Sequence, residues 1–136
     1  MQEITVEARI DQMLPVTDFV NAALKALGCS ARTRIQMDVA VDELFSNIVR
    51  YGYGKKPGPV TVRVDAEDDP RCVAVTFIDR GIPYDPVSAE FVDTTHLSAT
   101  ERPIGGLGVF MVKKSMDDMR YSYCDGQNIL TIRKRI

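Results

Sequence analysis

The chain has 136 residues, 45% hydrophobic and 26% charged, the balance of one ordinary domain long enough to bury a core without disulfides or metal. Nineteen acidic against seventeen basic residues leave a net charge of -2, which argues against a dedicated nucleic-acid binder, because phosphate affinity needs a basic face. The longest apolar run, Val73 to Ile78, includes Thr76 and is far short of the roughly 18 residues a membrane helix requires; the amino end lacks a secretory pattern, and Cys29, Cys72 and Cys124 form no C-x-x-C pair, so a cytoplasmic protein held in reducing conditions is expected.

Ile4, Val6, Ala8 and Ile10 alternate with polar residues, the period of a half-buried strand. From about Val16 to Leu27, Phe19, Val20, Ala23, Leu24 and Leu27 recur at three and four, and Gly28 stops this first helix. Ser30 precedes a second helical pattern in which Met37, Val41, Leu44, Phe45, Ile48 and Val49 make one wide apolar face up to Tyr51. After the turn-rich run Gly52 to Pro59, Val60, Val62 and Val64 alternate with polar residues, and the acidic turn Glu67-Asp68-Asp69-Pro70 leads to Val73 to Ile78, which reads as a hairpin. Residues Gly81 to Pro103 contain three prolines and no sustained period, a loop of about twenty residues of the kind that is usually functional or disordered. Gly105-Gly106-Leu107-Gly108 opens a third helix carrying Val109, Phe110, Val112 and Met116, and two strands joined at Asp125-Gly126 follow it. The order strand, two helices, two strands, loop, helix, two strands points to a sheet covered on one face by helices.

Three places could carry chemistry. Glu43 and Asn47 lie four residues apart on the second helix and project from the same side at the margin of its apolar stripe. They are either a solvated i, i+4 pair or a carboxylate base beside an amide oxygen able to ligate a hard cation. Asp79-Arg80-Gly81-Ile82-Pro83-Tyr84-Asp85 follows a buried strand; it is either a strand-ending turn or a carboxylate that accepts from an exocyclic amine beside a glycine that admits a flat ring. The glycines at the start of the third helix leave backbone N–H groups open where the helix dipole favours phosphate, or simply permit a sharp entry. No P-loop order G-x-x-x-x-G-K-[ST] is present, and no strand directly precedes these glycines as a dinucleotide fingerprint would need.

Taken together and in this order, the three segments resemble the N box (Asp42 to Asn47), the first glycine box (Asp79 to Asp85) and the second glycine box (Gly105 to Gly108) of the GHKL superfamily of ATP-binding domains. Within it, the short length and the stretch Gly105 to Met119 followed by two strands are most similar to the bacterial anti-sigma-factor serine/threonine kinases, over essentially the whole of 1–136 as a single domain. The resemblance implies a Bergerat-type α/β fold, an α+β two-layer sandwich whose mixed, largely antiparallel sheet is covered on one face by about three helices. It implies ATP and Mg2+ as cofactors, Glu43 as general base, Asn47 as the magnesium ligand, Asp79 as acceptor for the adenine amine and Gly81 as the residue that lets the ring lie close. Gly105, Gly106, Leu107 and Gly108 would then meet the phosphates, residues of about 86–104 would form an ATP lid, and Arg102 within it would reach the terminal phosphate. Arg50-Tyr51 stands where many of these kinases carry a histidine, and the one histidine, His96, falls in the lid, so this is no complete histidine kinase. The implied partners are an anti-sigma antagonist of the STAS type and a sigma factor, with dimerisation a further implication. A nucleotide-dependent binding module without catalysis, or a weak ATPase with Glu43 activating water, are the alternatives.

Overall fold

Alternation along the strands separates a wet face from a dry one. The structure, a computed structural model, describes residues 1–88 and 106–136. Along β2 (Pro59–Glu67) the dry side carries Val60, Val62 and Val64, and β3 (Cys72–Asp79) sets Phe77 opposite Val62 and Val75 opposite Val64. These rows run on through β5 (Gln127–Arg135), which brings Leu130 beside Phe77 and Ile132 beside Val75, while β1 (Gln2–Glu7) adds Ile4 next to Val62. With β4 (Asp118–Cys124) at the far edge the order is β1-β2-β3-β5-β4. Every pairing among the described residues is antiparallel, where a partly mixed sheet was expected. The reason lies in the return path: Asp125 and Gly126 take positive φ values of 53° and 75°, the two-residue turn whose twist suits a tight hairpin, so β5 folds back between β4 and β3.

Three helices cover the dry face: α1 (Met13–Ala26), α2 (Ala31–Asn47) and α3 (Gly106–Ser115). α1 starts a turn earlier than its apolar period suggests, because Pro15 falls in the first turn, where a missing N–H leaves no bond unmade. It ends on Gly28 at φ +84°, with Cys29 N–H donating to Leu24 O at 3.1 Å, a left-handed stop that needs glycine. Ser30 then caps α2 by accepting from Thr33 N–H at 3.2 Å. Val16, Val20 and Leu24 of α1 and Met37, Val41 and Phe45 of α2 press on the valines of the sheet and form the core. The opposite sheet face is wet and is tied by polar pairs across the strands: Thr5 to Thr61 at 2.9 Å, Thr76 to Thr131 at 3.0 Å, and Arg133 to both Glu67 and Asp118. β1 is shorter than its alternation suggests, since the chain turns into a 3-10 helix at Ile10–Gln12 that leaves Ile10 exposed. At the other end of α2 the last turn widens into a π-helix, Ile48–Gly52, a form common near functional sites.

Phe45 is wholly buried at the centre of this two-layer packing. Phe45→Ala should lower the unfolding free energy by about 3–5 kcal/mol, a large share of the roughly 5–15 kcal/mol of a typical domain, with Thr131→Ala on the wet face costing about 1 kcal/mol or less. Urea midpoints of the two variants at unchanged slope test this, and equal losses would contradict the placement of the core.

Candidate nucleotide site

The π-turn, the end of β3 and the inner side of β5 enclose a cavity of about 220 Å³. Leu44, Ile48, Tyr51, Phe77, Ile82 and Leu130 supply its apolar walls, and Asn47, Asp79 and Asn128 its polar groups. The walls suit a flat ring, and the few convergent polar groups would decide which ring. Asn47 thus turns to this cavity from the last turn of α2.

Asp79 is 6% exposed at the strand end. Its Oδ1 accepts from Gly81 N–H at 2.8 Å and from Asn128 Nδ2 at 3.0 Å, and its Oδ2 has no hydrogen-bond partner among the described residues. Among the described residues no cation pairs with it; burial, only partly offset by those two donors, holds its carboxyl above the usual 3.8. Gly81 is required for a reason the sequence does not display: a Cβ there would come within 2.2 Å of Gly52 O, the same carbonyl that accepts from Ile82 N–H at 2.8 Å. The π-turn and the first glycine box are therefore laced backbone to backbone. Tyr53 adds a second tie, its hydroxyl donating to Pro59 O at 2.6 Å and accepting from Arg80 N–H at 2.8 Å.

Glu43 lies on the other flank of α2. Its carboxylate rests against the first turn of α3, so close that a Cβ on Gly108 would meet Glu43 Oε1 at 2.0 Å. It faces a second, wider hollow of about 610 Å³, where Asp42, Ser46 and Arg50 also appear. The walls of this groove are apolar yet open: Ile10, Ile35 and Val39 keep 62%, 65% and 64% of their surface exposed, and Met111 keeps 56%. Such a patch of large apolar side chains is the mark of a binding surface. Glu43 and Asn47, adjacent on the helix, consequently serve two different cavities, with the start of α3 beside Glu43.

Of the residues singled out from the sequence, Asn47 and Asp79 line the inner cavity, Gly81 borders it through Gly52, and Glu43 and Gly108 meet at the groove. Gly106 and Leu107 open α3, with Leu107 exposed. Gly105, Arg102, His96 and all of the expected lid beyond Ser88 lie outside the described residues. Among the described residues no three His, Cys, Asp or Glu side chains come together as a metal centre. Asn128, Gly52 and Tyr53 were missed. Asn128 could have been found, because it stands at the inward parity of Leu130 and Ile132, where an amide needs a reason.

An antiparallel sheet under three helices, with a buried strand-end carboxylate in an apolar cavity and a glycine-opened helix nearby, defines a nucleotide-binding α+β sandwich. The histidine kinase-like ATPase domain model matches residues 6–134, and the chain belongs to that family. No curated protein matches it significantly. Among solved structures it is similar to a chain described as the RsbU and RsbW domains of Rv1364c from Mycobacterium tuberculosis, at 17% identity and a TM-score of 0.66. The match takes in 99% of this chain and only 32% of that one, so this chain spans about a third of the relative's length and shares its fold. No helix among the described residues is long and apolar enough to cross a membrane.

Two outcomes follow from these contacts. Gly81→Ala drives a Cβ into backbone and should destabilise by about 1–3 kcal/mol, whereas Gly108→Ala meets only the movable end of Glu43 and should change stability by less than about 1 kcal/mol. Urea midpoints in the reverse order would contradict the backbone lacing. For Asp79 the raised folded pKa means that the native state binds a proton more tightly than the unfolded chain, so its burial costs most above the folded pKa and is relieved as pH falls towards 3.8. Without nucleotide, Asp79→Asn should be at least as stable as the parent at neutral pH, and its advantage should shrink on acidification. A variant that is less stable at neutral pH and gains on acidification would contradict the assignment.

Proposed function

We propose that the chain binds MgATP in the inner cavity and transfers the terminal phosphoryl group to a serine or threonine hydroxyl of a protein seated in the outer groove. The observation that carries this reading is the division of labour on α2: Asn47 faces the ring cavity while Glu43 faces an open apolar groove at the first turn of α3. A base that served water alone would have no use for a groove walled by Ile10, Ile35, Val39 and Met111. Family membership supports the nucleotide, and the likeness to a chain carrying an RsbW domain supports the anti-sigma branch to which the three boxes are similar. The partner on this reading is an anti-sigma antagonist, with a sigma factor as the alternative client.

Asp79 Oδ2 accepts the adenine amine on the floor of the cavity, and Leu44, Ile48 and Phe77 exclude water around the ring. Backbone N–H groups at the start of α3 receive the phosphates, where the helix dipole favours negative charge and glycine at 106 brings no side chain. Asn47 would hold the magnesium ion, which would supply neutralisation of charge on the phosphates. Glu43 orients the acceptor hydroxyl and takes its proton; phosphoryl transfer asks little more of a protein than such positioning.

Glu43→Gln should bind MgATP as the parent does and phosphorylate the antagonist about a hundredfold or more slowly, because a general base acts on the acceptor. Asn47→Ala should weaken magnesium-dependent nucleotide binding itself. Val39→Asp should raise KM for the protein acceptor and leave ATP affinity alone. Single-turnover transfer from labelled ATP, paired with nucleotide titration, reads all three. Undiminished transfer by Glu43→Gln would remove the catalytic role, and a parent that binds nucleotide and partner without transfer would favour the non-catalytic module.

A further inference from the structure

Asn128 is 6% exposed on β5, directly opposite Asp79 on β3, and it makes more polar contacts than any residue in the first glycine box. Its Oδ1 accepts from Tyr84 N–H at 3.3 Å and from the Tyr121 hydroxyl at 2.5 Å. Its Nδ2 donates to Gly81 O at 3.2 Å, to Ile82 O at 3.1 Å and to Asp79 Oδ1 at 3.0 Å. Three of these partners are backbone groups that cannot exchange roles: Tyr84 N–H only donates, and the Gly81 and Ile82 carbonyls only accept. They leave the amide one orientation, with Nδ2 towards Asp79. Asp79 Oδ1 is then fixed as an acceptor, because it faces two donors, Asn128 Nδ2 and Gly81 N–H. What remains for a ligand is Oδ2, which has no partner among the described residues.

We infer that Asn128 is the positioning residue for base selection, holding Asp79 as an acceptor towards the cavity so that the site takes 6-aminopurine nucleotides and refuses 6-oxopurines. This rests on the ATP reading above and goes beyond it by naming the residue that sets the polarity of Asp79. A 6-amino group donates to Oδ2; a 6-oxo group would bring a second acceptor against it with no proton between them. Replacing the amide by a group that cannot donate leaves Asp79 with a single donor in a buried site, where taking up a proton becomes the cheaper arrangement, and a protonated Oδ2 no longer discriminates.

The test is calorimetric titration of ATP and ITP, which differ at the 6-position of the ring and in the N1 proton that goes with it, on the parent, Asn128→Leu and Asn128→Asp. The parent should prefer ATP by about tenfold or more, the discrimination expected of a site whose buried polar group is left facing the wrong partner. Asn128→Leu should bring the ratio of the two dissociation constants below about threefold. Asn128→Asp, of nearly unchanged volume, forms a carboxyl pair with Asp79 that must share a proton and should lower the ratio in the same direction, which keeps the test open if the leucine variant does not fold. If Asn128 served only to staple the loop after β3, both nucleotides would weaken together and the ratio would stay at the parent's value, which overturns the inference while leaving the ATP reading intact. A parent that prefers ITP or does not discriminate overturns it equally. A parent that binds neither nucleotide overturns the ATP reading, and this inference with it.

Discussion

A carboxylate buried at the end of β3, with one oxygen committed to the protein and the other left over, is the constraint around which the rest of the molecule is arranged. An unpaired buried charge is costly, and no cation among the described residues offsets that of Asp79. Its neighbours make it tolerable: Gly81 N–H, Asn128 Nδ2 and a loop held to the π-turn through Gly52. Each of these sets a requirement of its own. Gly81 must lack a side chain because Gly52 O occupies the space, the helix must widen at Ile48–Gly52 to bring that carbonyl there, and β5 must lie beside β3 so that Asn128 faces Asp79. On the ATP reading, stability given up at Asp79 is regained when a donor fills Oδ2, the usual pattern at a ligand site.

The second consequence is the use of one helix for two tasks. α2 buries Met37, Val41 and Phe45 against the sheet, and its remaining flanks carry Asn47 to one cavity and Glu43 to the other. A spacing of four residues sets the two side chains one turn apart on nearly the same side, yet they line different hollows, because α3 leans over the helix with Gly108 against Glu43 and contributes to the groove alone. Glycine at 108 is what allows the approach. The exposed Ile35 and Val39 belong to the groove and explain why α2 carries apolar residues away from its core face.

Much of this was legible in the chain. Strict alternation at 60–64 and the three-and-four spacing at 37–45 report burial on one side only, and burial fixes both element type and facing. Ser30, Gly28 and Asp125-Gly126 mark ends and turns because their backbone chemistry admits few other uses. The boundary at Ile10 was not legible, since Ile10 continues the alternation of the strand before it, and neither was that at Ile48, since a π-turn keeps a nearly helical apolar period and differs only in which carbonyl is reached. Pairs set by tertiary approach were hidden for the same reason: nothing local to Gly81 speaks of Gly52, and nothing local to Asn128 speaks of Asp79 49 residues away. The three boxes could be recognised together, whereas the division between cavity and groove needed the position of α3.

The central claim is that nucleotide enters between the π-turn, β3 and β5 and ends at the first turn of α3. Amide hydrogen exchange with and without MgATP tests it most directly. Protection should concentrate on the amides of Gly52, Gly81, Ile82 and Tyr84 and on the first turn of α3, with the wet sheet face from Thr5 to Thr131 unchanged. Protection confined to that face, or none at saturating nucleotide, would contradict the account.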